Sequence, residues 1–256
     1  INPQDVHAKE INNNAKICAP IAGRFKINHQ YSTNGLDKYG NPTEYGEPHF
    51  GVDMNPCDEN GNAPENPIGT KIFSLCNGQV VQASNSGNAG NVVSVCSTDS
   101  ATKGKLFTYM HLDEINVKMN QQVTVGQLLG TLGNTGECYP EGVDGAHLHF
   151  EIDLGGVWGS NNGTNPTQNP AEIMGIPSGI DIHNAGLDAV FVNELFPDTS
   201  EDYGIGKYGR GKEKSNTSIS KKYSNDYNRK MSTLSGSSRT SYGRGSSNNH
   251  NKSNKS

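Results

Sequence analysis

The sequence predicts a mainly β domain followed by a basic, low-complexity tail. Three observations carry that expectation. Between residues 68 and 152, short apolar runs are separated by clusters of Gly and Asn. Helical periodicity is scarce throughout. From residue 203 the composition changes to Gly, Ser, Asn, Tyr and Lys/Arg, as in Tyr203-Gly-Ile-Gly-Lys-Tyr-Gly-Arg-Gly.

In chain order, residues 1–17 are polar and Asn-rich and read as an N-terminal extension. The chain begins at Ile1 with no visible signal peptide, which suggests processing or trimming. Residues 18–176 hold the domain. Strands are expected at Ile72 to Leu75, Val80 to Ala83, Val92 to Val95, Leu106 to Met110, Val123 to Val125 and Leu148 to Ile152, where apolar residues alternate or run together. Two short helices are expected, at Ala171 to Met174 and Leu187 to Leu195. The second falls in an acidic connecting segment, residues 177–202.

Charge divides the chain. Residues 203–256 hold 12 Lys/Arg and 2 Asp/Glu, a formal +10, which leaves 9 basic and 24 acidic residues, or −15, in residues 1–202. The tail cannot bury enough apolar surface to offset its ordering entropy, so it is expected to be disordered alone. Its composition suits a cationic anchor for an anionic wall polymer, lipopolysaccharide or nucleic acid. A solubilising or assembly peptide is the competing reading. No apolar run approaches 18 residues, so no membrane span is expected.

Chemistry concentrates in two stretches, Glu-Pro-His49-Phe-Gly-Val-Asp53 and Gly-Ala-His147-Leu-His149-Phe-Glu. In a strand, side chains at i and i+2 share a face about 6.6 Å apart. His147 and His149 therefore point together, away from Leu148 and Phe150. Imidazole and carboxylate suit zinc, and a catalytic site uses three protein ligands with a fourth position left for water. His49, Asp53 and one of the later pair would fill that shell. A third element, Thr-Tyr109-Met-His111-Leu, lies between them. A lone histidine on a strand, as His111 taken alone, is ordinarily packed or hydrogen-bonded; His7, His29, His183 and His250 lack such company and read as ordinary surface or loop residues.

These motifs, together with Gly69-Thr70-Lys71-Ile72-Phe73, Gly78-Gln79-Val80-Val81, Gly126-Gln127-Leu-Leu-Gly130 and Gly133-Asn134-Thr135-Gly136, resemble the lysostaphin-type, or LytM-like, zinc endopeptidases of peptidoglycan over roughly residues 18 to 175. The resemblance implies a folded antiparallel sheet with a long substrate groove and one Zn2+ per chain held by His49, Asp53 and His149. It implies His111 and His147 as the catalytic pair. Tyr45 and Tyr109 are weaker candidates for substrate contact, with Tyr31 also upstream of the first motif.

Five cysteines in such an exported protein argue for a disulfide. Cys76 and Cys96 could face each other across a hairpin, and Cys57 and Cys138 could bridge two loops at the rim of the cleft; buried free thiols are the alternative. The expected function is hydrolysis of peptide bonds in peptidoglycan stems or cross-bridges, in an extracellular, periplasmic or cell-wall setting. Three alternatives differ from it. One is a structural component of a phage tail or secretion apparatus carrying the same domain. The others are a non-catalytic wall-binding or amidase-activating member of the fold, and a metallopeptidase of Gly-rich proteins.

Overall fold

The computed structural model describes residues 17–37, 40–42, 46–155, 166–176, 190–193 and 195. Tyr45, Leu187 and the whole of the basic tail lie outside the described residues. Among the described residues, eleven strands form one sheet: β1 (Arg24–His29), β2 (Gly51–Pro56), β3 (Lys71–Phe73), β4 (Gly78–Asn85), β5 (Asn91–Ser97), β6 (Leu106–Ile115), β7 (Gln122–Val123), β8 (Leu128–Leu132), β9 (Leu148–Asp153), β10 (Thr167–Gln168) and β11 (Phe191–Val192). The main path runs β11-β1-β2-β9-β6-β5-β4-β7, with β10 on β9 and β8 joining β3 to β6. All named strand pairs are antiparallel.

Period-2 alternation divides the two faces of the central strands. Val52 pairs with Phe150 and Phe150 with Tyr109, and all three are fully buried with Leu148, Ile152 and Phe107. The Tyr109 and Phe150 rings stack at 5.0 Å. Burying one such side chain stabilises by roughly 1.5–3 kcal/mol. The opposite face carries Asp53 against His149 against Met110, and Gly51 against Glu151 against Thr108. A slip of one residue would exchange these sets, so core packing fixes the register that aligns the polar ones.

The short helix α1 (Pro170–Met174) forms where it is expected. Asn169 caps it by accepting from the Ala171 N–H at 3.0 Å, Pro170 supplies a preset φ at its first position, and Gly175 ends it in the left-handed region at φ 76°. The second expected helix is corrected. Phe191–Val192 is a strand on β1, held because Phe191 packs on Phe25 at 5.4 Å and the Asn193 side chain donates to the carbonyls of Ala19 and Ile21. That strand lies within the segment expected to be a connection.

Two further expectations change. Tyr109 cannot touch a substrate: it is 0% exposed, with its hydroxyl oxygen accepting from the Leu75 N–H at 3.0 Å. The four candidate disulfide residues, Cys57, Cys76, Cys96 and Cys138, are free cysteines. The β4–β5 register sets Gln79, not Cys76, opposite Cys96. Cys57 closes β2, whereas Cys138 turns toward the histidines of the polar face. Burial pushes the Cys57 and Cys138 thiols up to about 11. No helix among the described residues is long and apolar enough to cross a membrane.

Candidate metal centre and catalytic site

β2 and β9 deliver Asp53 and His149 side by side, and His49 arrives from the loop before β2, pinned by paired backbone hydrogen bonds to Ser32 at 2.8 and 2.6 Å. Three donor atoms converge. His149 Nδ1 is 2.9 Å from Asp53 Oδ1, His49 Nε2 is 3.2 Å from the same oxygen, and the two nitrogens are 3.1 Å apart. In a tetrahedral shell with bonds of about 2.0–2.1 Å, neighbouring donors stand roughly 3.3 Å apart. The observed triangle matches that spacing to within a few tenths of an ångström.

Hydrogen bonding shows what the triangle requires. His49 Nδ1 lies 2.9 Å from the Gln30 carbonyl oxygen, which can only accept, so the ring proton sits on Nδ1 and Nε2 presents a lone pair. That lone pair faces a carboxylate oxygen at 3.2 Å. Two acceptors at this separation repel unless a ring proton or a cation lies between them, and an ion at the centre of the triangle would take the proton's place. The donor set, two imidazoles and one carboxylate, is a zinc set.

Charge follows the same pattern. Burial would raise the Asp53 carboxyl, but hydrogen bonds from His149, His29 and His49 and the charge of His147 hold it well below the usual range. Burial would lower His49, and Asp53 with the Gln30 carbonyl reverses this, so His49 is raised. His149 is lowered, chiefly by burial.

His29, read from sequence as an ordinary residue, belongs to the site. Its ring stacks on His49 at 3.8 Å and 6°, and its Nδ1 is 3.5 Å from Asp53 Oδ2. His29, His49 and Asp53 also cluster tightly enough to suggest a metal trio. Ring orientation decides against His29 as a ligand. An imidazole binds an ion in its own plane, and two parallel stacked planes do not meet at one ion. The His49 and His149 planes cross at 78°, so they can converge.

The predicted catalytic pair lies beside the shell. His147 Nε2 is 3.6 Å from Asp53 Oδ1, and its Nδ1 donates to the Gly145 carbonyl at 2.7 Å. Asn55 on β2 steadies this entry by donating to the Ala146 carbonyl at 2.6 Å. His111 Nδ1 donates to the Thr135 carbonyl at 2.9 Å, and its ring centre is 4.9 Å from that of His147. Burial and the neighbouring His147 push His111 down to about 4. Strict alternation from Tyr109 would send His111 to the core. Instead its backbone is left-handed, φ 60°, where β6 exchanges β9 for β8 as partner, and this turns the ring to the polar face.

Glycines clear the space. A Cβ at Gly51 would lie 2.5 Å from His149 Nε2 and 2.6 Å from the Phe150 carbonyl oxygen. Gly136 has φ +80°, and a Cβ there would strike the Gly90 nitrogen at 2.3 Å. That contact locks the turn whose Thr135 carbonyl holds His111. A glycine inside a strand pattern, as at Gly51, is the signal that could have marked the first position from sequence.

Comparison with known proteins supplies the wider frame. The profile of peptidase family M23 matches residues 58–163, so it includes His111, His147 and His149 and begins beyond His49 and Asp53. Peptidoglycan DD-endopeptidase ShyA of Vibrio cholerae is 31% identical over 54% of this chain and 27% of its own length. Lipoprotein NlpD of Yersinia enterocolitica is 35% identical over 33% of this chain and 77% of its own. The catalytic domain of lysostaphin from Staphylococcus simulans is 26% identical, with TM-score 0.39, over 63% of this chain and 93% of that one. The chain spans under a third of the length of the first curated relatives it matches.

Proposed function

The chain belongs to peptidase family M23, and from that membership we propose that it is a zinc-dependent endopeptidase hydrolysing peptide bonds in the stems or cross-bridges of peptidoglycan. The observation that carries this reading is the convergence of His49 Nε2, Asp53 Oδ1 and His149 Nδ1 within 2.9–3.2 Å, beside two histidines with open Nε2 atoms. Relatives support the substrate class: ShyA is named a peptidoglycan DD-endopeptidase. Such a substrate sets the work outside the cytoplasm, in the periplasm or as a secreted protein. The full ligand set argues against a non-catalytic role.

Zinc held by His49, Asp53 and His149 would supply Lewis-acid polarisation of a carbonyl and an acidified water. The protein's own residues move the protons. The carbonyls of Thr135 and Gly145 fix His111 and His147 with Nδ1 protonated and Nε2 bare. His111, neutral at working pH, has its Nε2 free to accept a proton from the attacking water. His147, with its Nε2 3.6 Å from Asp53 Oδ1, stands at the edge of the same triangle, where it can take up a proton and hand it to the leaving amine. Thr135 and Asn55 act by holding these rings in place.

Digestion of purified sacculi followed by mass analysis of the soluble fragments tests the reading. Fragments with a new amine and carboxyl terminus within the peptide portion are expected. Intact peptides with the zinc-loaded protein would overturn it.

A further inference from the structure

Cys138 has no part in the hydrolytic scheme, yet it is 5% exposed and faces both catalytic histidines. Its Sγ, one nitrogen of His111 and one of His147 all lie within 4.8 Å of one another. The Thr135 carbonyl accepts from His111 Nδ1 at 2.9 Å and from Cys138 Sγ at 3.7 Å, so one backbone oxygen organises two of the three. Both histidines donate through Nδ1 to carbonyls, which leaves each Nε2 with a lone pair to offer an ion. Carbonyl-anchored imidazoles are the usual support of metal-ligating histidines.

The geometry points to a second metal site, formed by His111, Cys138 and His147, that takes a soft divalent ion such as zinc or cadmium and removes both histidines from catalysis when filled. Two imidazoles and a thiolate select such ions over magnesium or calcium. Tetrahedral coordination with bonds near 2.0–2.3 Å needs donor separations of roughly 3.3–3.7 Å, so closure requires movement of about an ångström. Cys138 can supply it, because it lies in a loop rather than a strand. As the metal–sulfur bond forms, the thiol proton leaves to solvent. A cleft of about 760 Å3 lined by Asn134, Gly136, Glu137, Cys138, Tyr139 and Glu141 gives an entry path, with two carboxylates along it. The first shell uses His49, Asp53 and His149, so the two sites share no ligand.

The loss of activity on filling rests on the endopeptidase reading; the binding does not. The full chain, stripped with chelator, is titrated with Cd2+ while thiolate-to-metal charge-transfer absorption and bound metal are measured. The wild type should bind two ions per chain, one carrying the thiolate signal. Cys138→Ser and Cys138→Ala should each lose that signal and weaken one of the two binding events at least about tenfold. His49→Ala should keep the signal while losing the other ion. A signal that survives both Cys138 replacements, or a wild type saturating at one ion, overturns the site. A second arm compares the ratio of sacculus digestion at high and low Zn2+. Excess zinc should depress wild type several-fold more than Cys138→Ser, and equal depression would refute the inhibitory role. No digestion by any form at any zinc level would refute the endopeptidase reading and leave the Cd2+ result to judge the site.

Discussion

His49, His111 and His147 each donate Nδ1–H to a backbone carbonyl, of Gln30, Thr135 and Gly145 respectively. Their tautomers are therefore set by the chain, and what separates the proposed ligand from the proposed catalysts is where each Nε2 points. Ala at His49, Asp53 or His149 should remove most bound zinc together with activity, because each takes away one of three ligands. Ala at His111 or His147 should keep zinc and lose about a hundredfold in rate. Elemental analysis of the purified variants checks this, and full zinc in His149→Ala would reverse the roles of the His-x-His pair. His29 adds a finer case. It stacks on one ligand and contacts the other oxygen of a second, so His29→Ala should weaken zinc about tenfold, with partial recovery in His29→Asn, which keeps a donor near Asp53 Oδ2. Unchanged affinity in the alanine variant would make the contact incidental. The sequence made His49, Asp53 and the His-x-His pair legible because their spacing matches strand and loop geometry. His29 was not legible as part of the site, since its place opposite Asp53 comes from the pairing of β1 with β2.

At the scale of elements, β9 is the organising strand. Its core face of Leu148, Phe150 and Ile152 sets the register, its other face carries His149, Glu151 and Asp153 in a row, and His147 stands just before it. The expected strands formed because apolar alternation marks them. β6 could not be read through to its end, because the bulge and left-handed backbone at His111 follow from its change of partner, a tertiary event with no local signal. β11 was misread as helix because a short apolar stretch does not declare its period. Asp153 gives β9 a pH dependence. It is 1% exposed, neither carboxyl oxygen has a hydrogen-bond partner among the described residues, and burial lifts it from the ordinary 3.8 to about 6. A carboxyl raised on folding is held more tightly by the folded state, so its contribution is most favourable below pH 4 and is lost as pH rises through about 6. Asp153→Asn removes the ionisation. Relative to wild type, its Tm should therefore be a few degrees higher at pH 7.5 than the same comparison gives at pH 4. Thermal melts at both pH values decide it, and a Tm difference that does not change with pH would exclude a buried titrating carboxyl.

For the whole molecule the strongest feature is the charge division, −15 in residues 1–202 against +10 in residues 203–256. The proposed zinc ligands and the proposed catalytic histidines belong to the acidic part, so removing residues 203–256 should leave turnover of a small soluble peptide unchanged. A polyanionic surface is different, because twelve Lys/Arg on one segment offer a counter-charge that the acidic body repels. Attraction of this kind acts between exposed charges and is screened beyond about 8 Å at physiological ionic strength. Full-length protein should therefore sediment with sacculi more strongly than the truncated form at low salt, and the gap should narrow as salt rises. Co-sedimentation of both forms over a salt series measures this. Equal binding insensitive to salt would exclude an electrostatic anchor and assign residues 203–256 to assembly or solubility.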